Sequence, residues 1–361
     1  MNKLGLQHRS SPHVTGFVLI AKFNMMALTA AIEPLRIANY LAGENLYKWY
    51  FISATGGSVE ASNGMSIETE SIVSDGRKWN AVIVCGSWNA EHYEDEHLFG
   101  WLRLQDNYGI TLGGMCMGAW VLARARLLSG YNATLHWSCM PGFKEQFPRV
   151  TLKEQLFVLD RNRITCAGGT AGIDMMLQLV EKHHGIQLTQ EVAEQILHDP
   201  IREADSAQRK VRVGIQKTLH PMIRECIILM ESNLEEVLPI PYIADVVGIS
   251  QRKLERLFQQ YLDTSAISFY RILRLQFARV LLTQTSMSIR EISMASGFPS
   301  FSHFAKSFTR QFDKNPSKYR EAWPVSQTMP SWPGMSSSLI KFKSLADEFN
   351  VEKTVIGAKI I

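Results

Sequence analysis

Short apolar runs recur through the first 200 residues and alternate with segments whose apolar positions return every three to four residues. VTGFVLIA (14–21), YKWYFISA (47–54), AVIVC (81–85) and ITLGGM (110–115) read as buried strands. Residues 25–41, 95–107, 117–128 and 170–184 carry helical periodicity, and a further helix follows at 188–198. This alternation predicts an α/β domain, a largely parallel sheet flanked by helices. HDPIREADSAQRK (198–210) is polar and charged and contains a proline, which marks a domain junction. Residues 211–235 read as a long lead-in helix, and 240–323 as a dense series of short helices, an all-α domain. The resulting division is a first domain over 14–198, a linker over 199–212, a second domain over 213–323 and a tail over 324–361. PVSQTMPSWPGMSSS (324–338) is rich in Pro, Ser and Gly and predicts mobility, and Leu4–Ser11 reads as disordered.

Composition narrows the class. Hydrophobic residues make up 46% and charged residues 20% of 361, the balance of a folded chain long enough for two or three cores. No apolar run approaches the ~18 residues of a membrane span, and the first residues lack the layout of a secretory signal, so a cytoplasmic protein without membrane contact is expected. Five widely spaced cysteines, without a CxxC pair, fit free thiols and no zinc site. EHYEDEH (91–97) reads as the solvated start of a helix and not as a metal site. The net charge of +4 is uneven: residues 1–204 carry 17 Lys+Arg against 20 Asp+Glu, whereas 205–323 carry 17 against 11. The second domain is therefore a modest attractor of polyanions.

That basic segment contains an internal repeat. At an offset of 49, Ile243 overlies Ile292 and Gly248 overlies Gly297; past the turn the offset is 50, with Ser250 over Ser300, Leu254 over Phe304, Phe258 over Phe308 and Asp263 over Asp313. Each copy is a short helix, a Gly-containing turn, a capping Ser and an amphipathic helix, hence a helix-turn-helix. Leu254, Leu257 and Phe258 in one copy, and Phe301, Phe304 and Phe308 in the other, are expected in the core. Ser250, Gln251, Arg252, Lys253 and Arg256, and Ser300, Ser302, His303, Lys306 and Arg310, form the opposite faces, which can anchor phosphates and read bases.

IREISMASGFPSFSHFAKSFTRQFDKNPSKYR (289–320) closely resembles the signature of the AraC family of transcriptional regulators, and YRILRLQFARVLL (270–282) resembles its linker helix. Asp263 and Asp313 stand where that family usually has Gly, and Ala266 where it usually has Pro. The resemblance implies that the linker helix spaces two recognition helices about one DNA turn, ~34 Å, for successive major grooves.

In the first domain, LGGMCMGAWVLARA (112–125) sets Cys116 between a strand and a helix in a G-x-C-x-G pattern, the layout of a nucleophile elbow. Gly114 and Gly118 permit the turn, and the helix N-terminus is expected to lower the thiol's pKa. His136 follows 20 residues later. The domain resembles the class I glutamine amidotransferase-like, flavodoxin-type fold shared by intracellular proteases and the sensing domains of many AraC regulators. NMMALTAAIEPLRIAN (24–39), ASNGM (61–65), GYNATLHW (130–137) and TCAGGTAGIDMML (165–177) are similar to arginine- and glycine-betaine-responsive members. Enzymes of this fold carry a Glu on the first helix facing the thiol; here Asn24 to Ala27 stand there, and Glu33 falls two turns later. Cys116 and His136 are thus expected to be vestigial, with no catalysis and no cofactor.

Ligands of α/β sheets bind at strand ends, where Cys116, Met117, Trp88, Trp120, His136 and Trp137 are predicted to cluster. Indole faces attract alkylammonium or guanidinium groups, and elbow N–H groups suit a carboxylate, so an amino acid or betaine-type amine is the expected effector. The combined reading is a cytoplasmic, nucleoid-associated transcriptional regulator, an activator, that binds double-stranded DNA, a small-molecule effector and RNA polymerase as a homodimer. The alternatives are a cysteine hydrolase or amidase fused to a DNA-binding module, and a structural nucleoid protein without effector.

Overall fold

The computed structural model describes residues 11–74, 76–208 and 220–321, and divides into two units, 1–208 and 209–361. The tail 324–361, the segment 4–10, and residues 209–219 of the expected linker and lead-in helix lie outside the described residues.

In the first unit the elements run β1 (His13–Leu19), α1 (Met25–Ala42), β2 (Tyr47–Ser53), β3 (Gly57–Glu60), β4 (Ser66–Ser71), β5 (Ala81–Gly86), α2 (Glu96–Asn107), β6 (Thr111–Cys116) and α3 (Gly118–Arg124). They continue with β7 (Asn132–Ala133), α4 (Met140–Gln146), β8 (Thr151–Leu152), β9 (Phe157–Asp160), β10 (Arg163–Cys166), α5 (Ala171–His184) and α6 (Ile186–Gln195). The main sheet has the order β3-β4-β2-β1-β5-β6-β10-β9, and β3 and β9 are the antiparallel members at its edges. β1 pairs in parallel with both β2 and β5, so the strand order reverses there and the carboxyl ends of β1 and β5 open a crevice. One face buries α1, α5 and α6, around Leu35, Met175 and Val180; the other buries α2, α3 and α4, around Leu98, Trp120 and Phe143.

The four predicted strands appear within two residues of their expected ends, whereas the helix expected over 117–128 stops at Arg124. Residues 199–208, expected as linker, are tied to the first unit. The buried Asp174 carboxylate accepts from Arg202 at 2.6 Å and lies 2.8 Å from His198 Nε2, and the Leu156 N–H donates to the Ala204 carbonyl.

The second unit comprises α7 (Pro221–Glu231), α8 (Ile240–Val246), α9 (Gln251–Leu262), α10 (Ala266–Gln284), α11 (Ile289–Ala295), α12 (Phe301–Phe312) and α13 (Pro316–Glu321). It has two small cores that share α10. Ala266, Phe269, Tyr270 and Leu273 join the core of α7, α8 and α9, whereas Leu275, Ala278, Leu281 and Leu282 join that of α11, α12 and α13. Asp263 and Asp313 take the left-handed conformation at the ends of α9 and α12, with φ of 49° and 57°, so Asp here fills the role of glycine. Ala266 follows the Ser265 cap at the start of α10, a position that needs no proline.

Candidate functional site

Cys116 ends β6 with a φ of 56°, the strained strand-to-helix turn of an elbow. Close approach explains its glycines. A Cβ on Gly118 would lie 1.9 Å from the Val84 carbonyl oxygen, and one on Gly114 2.6 Å from the Ala119 nitrogen. The packing leaves Cys116 5% exposed. Burial pushes its thiol up to about 11, against smaller opposing pulls from a Ser87 hydrogen bond and the Met117 backbone. The expected lowering is therefore corrected: α3 has seven residues, and desolvation of the thiolate outweighs whatever its N-terminus supplies.

His136 is brought to the elbow, where its backbone N–H donates to the Cys116 carbonyl at 3.3 Å. Its ring Nδ1 lies 2.8 Å from Ser138 Oγ, a hydroxyl where a catalytic pair has a carboxylate, and burial lowers its pKa. Neither first-helix candidate supplies an acid. Asn24 caps α1, and Glu33 pairs with Arg36 at 2.7 Å, both side chains about half exposed. Met117 immediately precedes α3 and places its Sδ 3.4 Å from Cys139 Sγ. Trp88, just past β5, and Trp137 are half-buried, and the Trp137 ring centroid lies 5.4 Å from that of His136. Gln208 accepts the Trp137 N–H at 2.8 Å and donates to the Leu135 and Gln155 carbonyls, so it organises the chain beside His136.

Trp120 departs from expectation. It is fully buried, edge-on to Phe143 and Phe147 at 5.2 and 5.5 Å, and so offers no open aromatic face to a cation. An open cleft of ≈ 790 Å³ adjoins this layer, and its lining includes Glu94, Arg124, Phe147 and Arg149 but none of the six residues predicted to hold the effector.

In the second unit, Ser250 and Ser300 cap α9 and α12 by accepting the N–H groups of Lys253 and His303, both at 3.3 Å. Gln251, Arg252 and Arg256, with half-buried Lys253, stand on the outer face of α9; Ser302, His303, Lys306 and Arg310 are exposed on α12. Leu254, Leu257, Phe258, Phe304 and Phe308 are core as predicted, but Phe301 is 49% exposed. As the first residue of α12 it projects beyond the packed stripe, and the core place goes to Phe298.

Residues 243–322 match a helix-turn-helix domain family, and residues 17–182 match the DJ-1/PfpI family. The HTH-type transcriptional regulator GbdR of Pseudomonas aeruginosa is 40% identical over 323 residues, 90% of this chain and 88% of its own. The regulators CdhR and ArgR of the same organism are 39% and 34% identical, over 88% and 86% of this chain and 94% of each of theirs. The chain belongs to the AraC family of transcriptional regulators. Its sensing half has the DJ-1/PfpI fold, the fold implied by the elbow.

Glu91 also departs from expectation. The carboxylate was expected in solvent at a helix start, yet a short 3-10 turn at Ala90–His92 folds it inward to 1% exposure. It stands five residues past the end of β5, on the carboxyl side of the sheet. Among the described residues no helix is long and apolar enough to cross a membrane.

Proposed function

We propose that this regulator binds the major groove of double-stranded DNA with α9 and α12, and that a small nitrogenous metabolite, an amino acid or betaine-type amine, controls it from the elbow. The observation that carries the DNA reading is the repeated, Ser-capped helix with an exposed basic face, joined to its copy by one continuous helix. Gln251, Arg252, Lys253, Arg256, Ser302, His303, Lys306 and Arg310 are the proposed contacts, and the two Ser residues set helix starts at the backbone. Cys116, Met117, Trp88, His136 and Trp137 are the proposed effector neighbours.

The sensing half binds and does not catalyse. A buried, protonated thiol and a histidine backed by a hydroxyl make a poor nucleophile, while the elbow itself is retained. Activation through RNA polymerase, action as a homodimer and a cytoplasmic location complete the proposal.

The test is a thermal-shift screen of the full chain against amines and amino acids, since a ligand raises stability as RT ln(1 + [L]/Kd). Hits are then added to DNA-binding and transcription assays. A hit that shifts the melting temperature and changes transcription supports the reading; turnover of the hit supports the hydrolase alternative.

A further inference from the structure

We propose that Glu91 and Trp120 are the polar ends of the effector subsite: the Glu91 carboxylate receives the ligand's cationic nitrogen, and the Trp120 indole N–H donates to its carboxylate. This rests on the effector reading above and adds two residues to the neighbours named there.

Glu91 is 1% exposed, and its Oε2 has no hydrogen-bond partner. Arg124 pulls on the carboxyl but does not bond Oε2. Arg124 gives its Nε to the Glu91 backbone carbonyl at 3.0 Å and its Nη1 to Glu94 at 2.8 Å. Burial pushes the carboxyl up to about 7, against smaller opposing pulls from a hydrogen bond of its own backbone and then from Arg124. A buried carboxyl with one oxygen left unpartnered carries a desolvation cost that a bound cation would offset.

Trp120 has the complementary deficit. Its ring packs edge-on with Phe143 and Phe147, yet Nε1–H, a donor only, is buried without an acceptor. Met117, Trp120 and Arg124 follow one another at helical spacing on one face of α3, and the Glu91 turn packs on that helix. Cys139, which feels the Glu91 charge, touches Met117. The two unpartnered groups thus belong to elements packed on one another beside the elbow, and Arg124 of the same helix reaches the lining of the ≈ 790 Å³ cleft, which neither Glu91 nor Trp120 lines. One buried anion and one buried donor are both satisfied by a zwitterion with a cationic nitrogen and a carboxylate, whereas an apolar ligand leaves both orphaned.

The experiment is calorimetric titration of the full chain with L-arginine and glycine betaine, and with agmatine and tetramethylammonium, which lack the carboxylate. Wild type, Glu91→Gln and Trp120→Phe are compared, with melting temperatures of the unliganded proteins. We expect Glu91→Gln to weaken the zwitterion that binds wild type at least tenfold while melting at an equal or higher temperature. Loss of the carboxylate from the probe weakens wild type, and weakens Trp120→Phe much less. Equal binding by wild type and Glu91→Gln overturns the subsite alone, as does weakened binding accompanied by a lower melting temperature, which marks a structural role. Failure of all four probes on wild type overturns the proposed effector class and the subsite with it.

Discussion

Gly168 lies against Cys116 so closely that a Cβ built on it would stand 2.7 Å from the Cys116 Cβ and 3.2 Å from its Sγ. With a φ of 88°, Gly168 is also in a conformation that side chains avoid. Gly168→Ala is expected to cost the sensing unit on the order of 1–3 kcal/mol through overlap and strain together. Thermal unfolding of the full chain checks this, and an unchanged melting temperature contradicts the packing described.

Cys116→Ser conserves the turn and removes thiolate chemistry. Because the thiol is already held protonated near neutral pH, effector-dependent transcription is expected to survive the change, with an altered effector concentration at most. Native Cys116 should also react with iodoacetamide at pH 8 much more slowly than an exposed cysteine. Loss of all response in the variant, with folding and DNA binding intact, would favour covalent chemistry.

Arg256 and Lys306 occupy equivalent places in the two repeats, and both are exposed. Alanine at either is expected to weaken binding to a selected operator without changing the melting of the sensing unit. A phosphate contact shows as a salt slope reduced by about 1; a base contact shows as relaxed specificity at a cost of roughly 1–3 kcal/mol. Affinity and selectivity unchanged at several salt concentrations would remove both from the interface.

His13, Tyr47, His183 and His184 form a cluster where β1 and β2 begin and α5 ends, with the His13 and His183 rings 4.9 Å apart. Burial first, then His183 and His184, lowers the His13 pKa from 6.5 to about 4. The folded state thus favours neutral His13. Its contribution is full above the unfolded value near 6.5 and is lost as pH falls from there towards about 4. With solvent screening at a partly exposed group, the loss is on the order of 1–2 kcal/mol. Melting temperatures from pH 7 to pH 4 should therefore fall less steeply for His13→Gln than for wild type.

Continuous apolar runs made the central strands legible, because AVIVC and ITLGGM lie buried on both faces. GSVE (57–60) and SIETES (66–71) are short, mostly exposed strands at one end of the sheet, and they carry no such run to read. The elbow was visible because its close approaches demand glycine, and a demand on residue type is written in the chain. Trp120 was not, since the rings that enclose it lie 23 and 27 positions away, and an indole in a core looks the same in sequence as one in a cage. Phe301 overlies Gln251 in the repeat, and that overlay, more than its apolar character, foretells its exposure.

Within α10, Leu273 belongs to one core and Leu275 to the other, and between them Arg274 reaches across to the Gly297 carbonyl at 2.8 Å. The helix is thus an axle with a reading head keyed to each end. Adding one residue to it turns the far head by about 100° and advances it ~1.5 Å. Adding one base pair between the contact segments turns the target by about 34° and advances it ~3.4 Å. These steps are incommensurate, so neither partner can absorb a small length change in the other. On the proposed reading, axle length and operator spacing are locked to one another, and the freedom to acquire new target genes lies in the faces of α9 and α12.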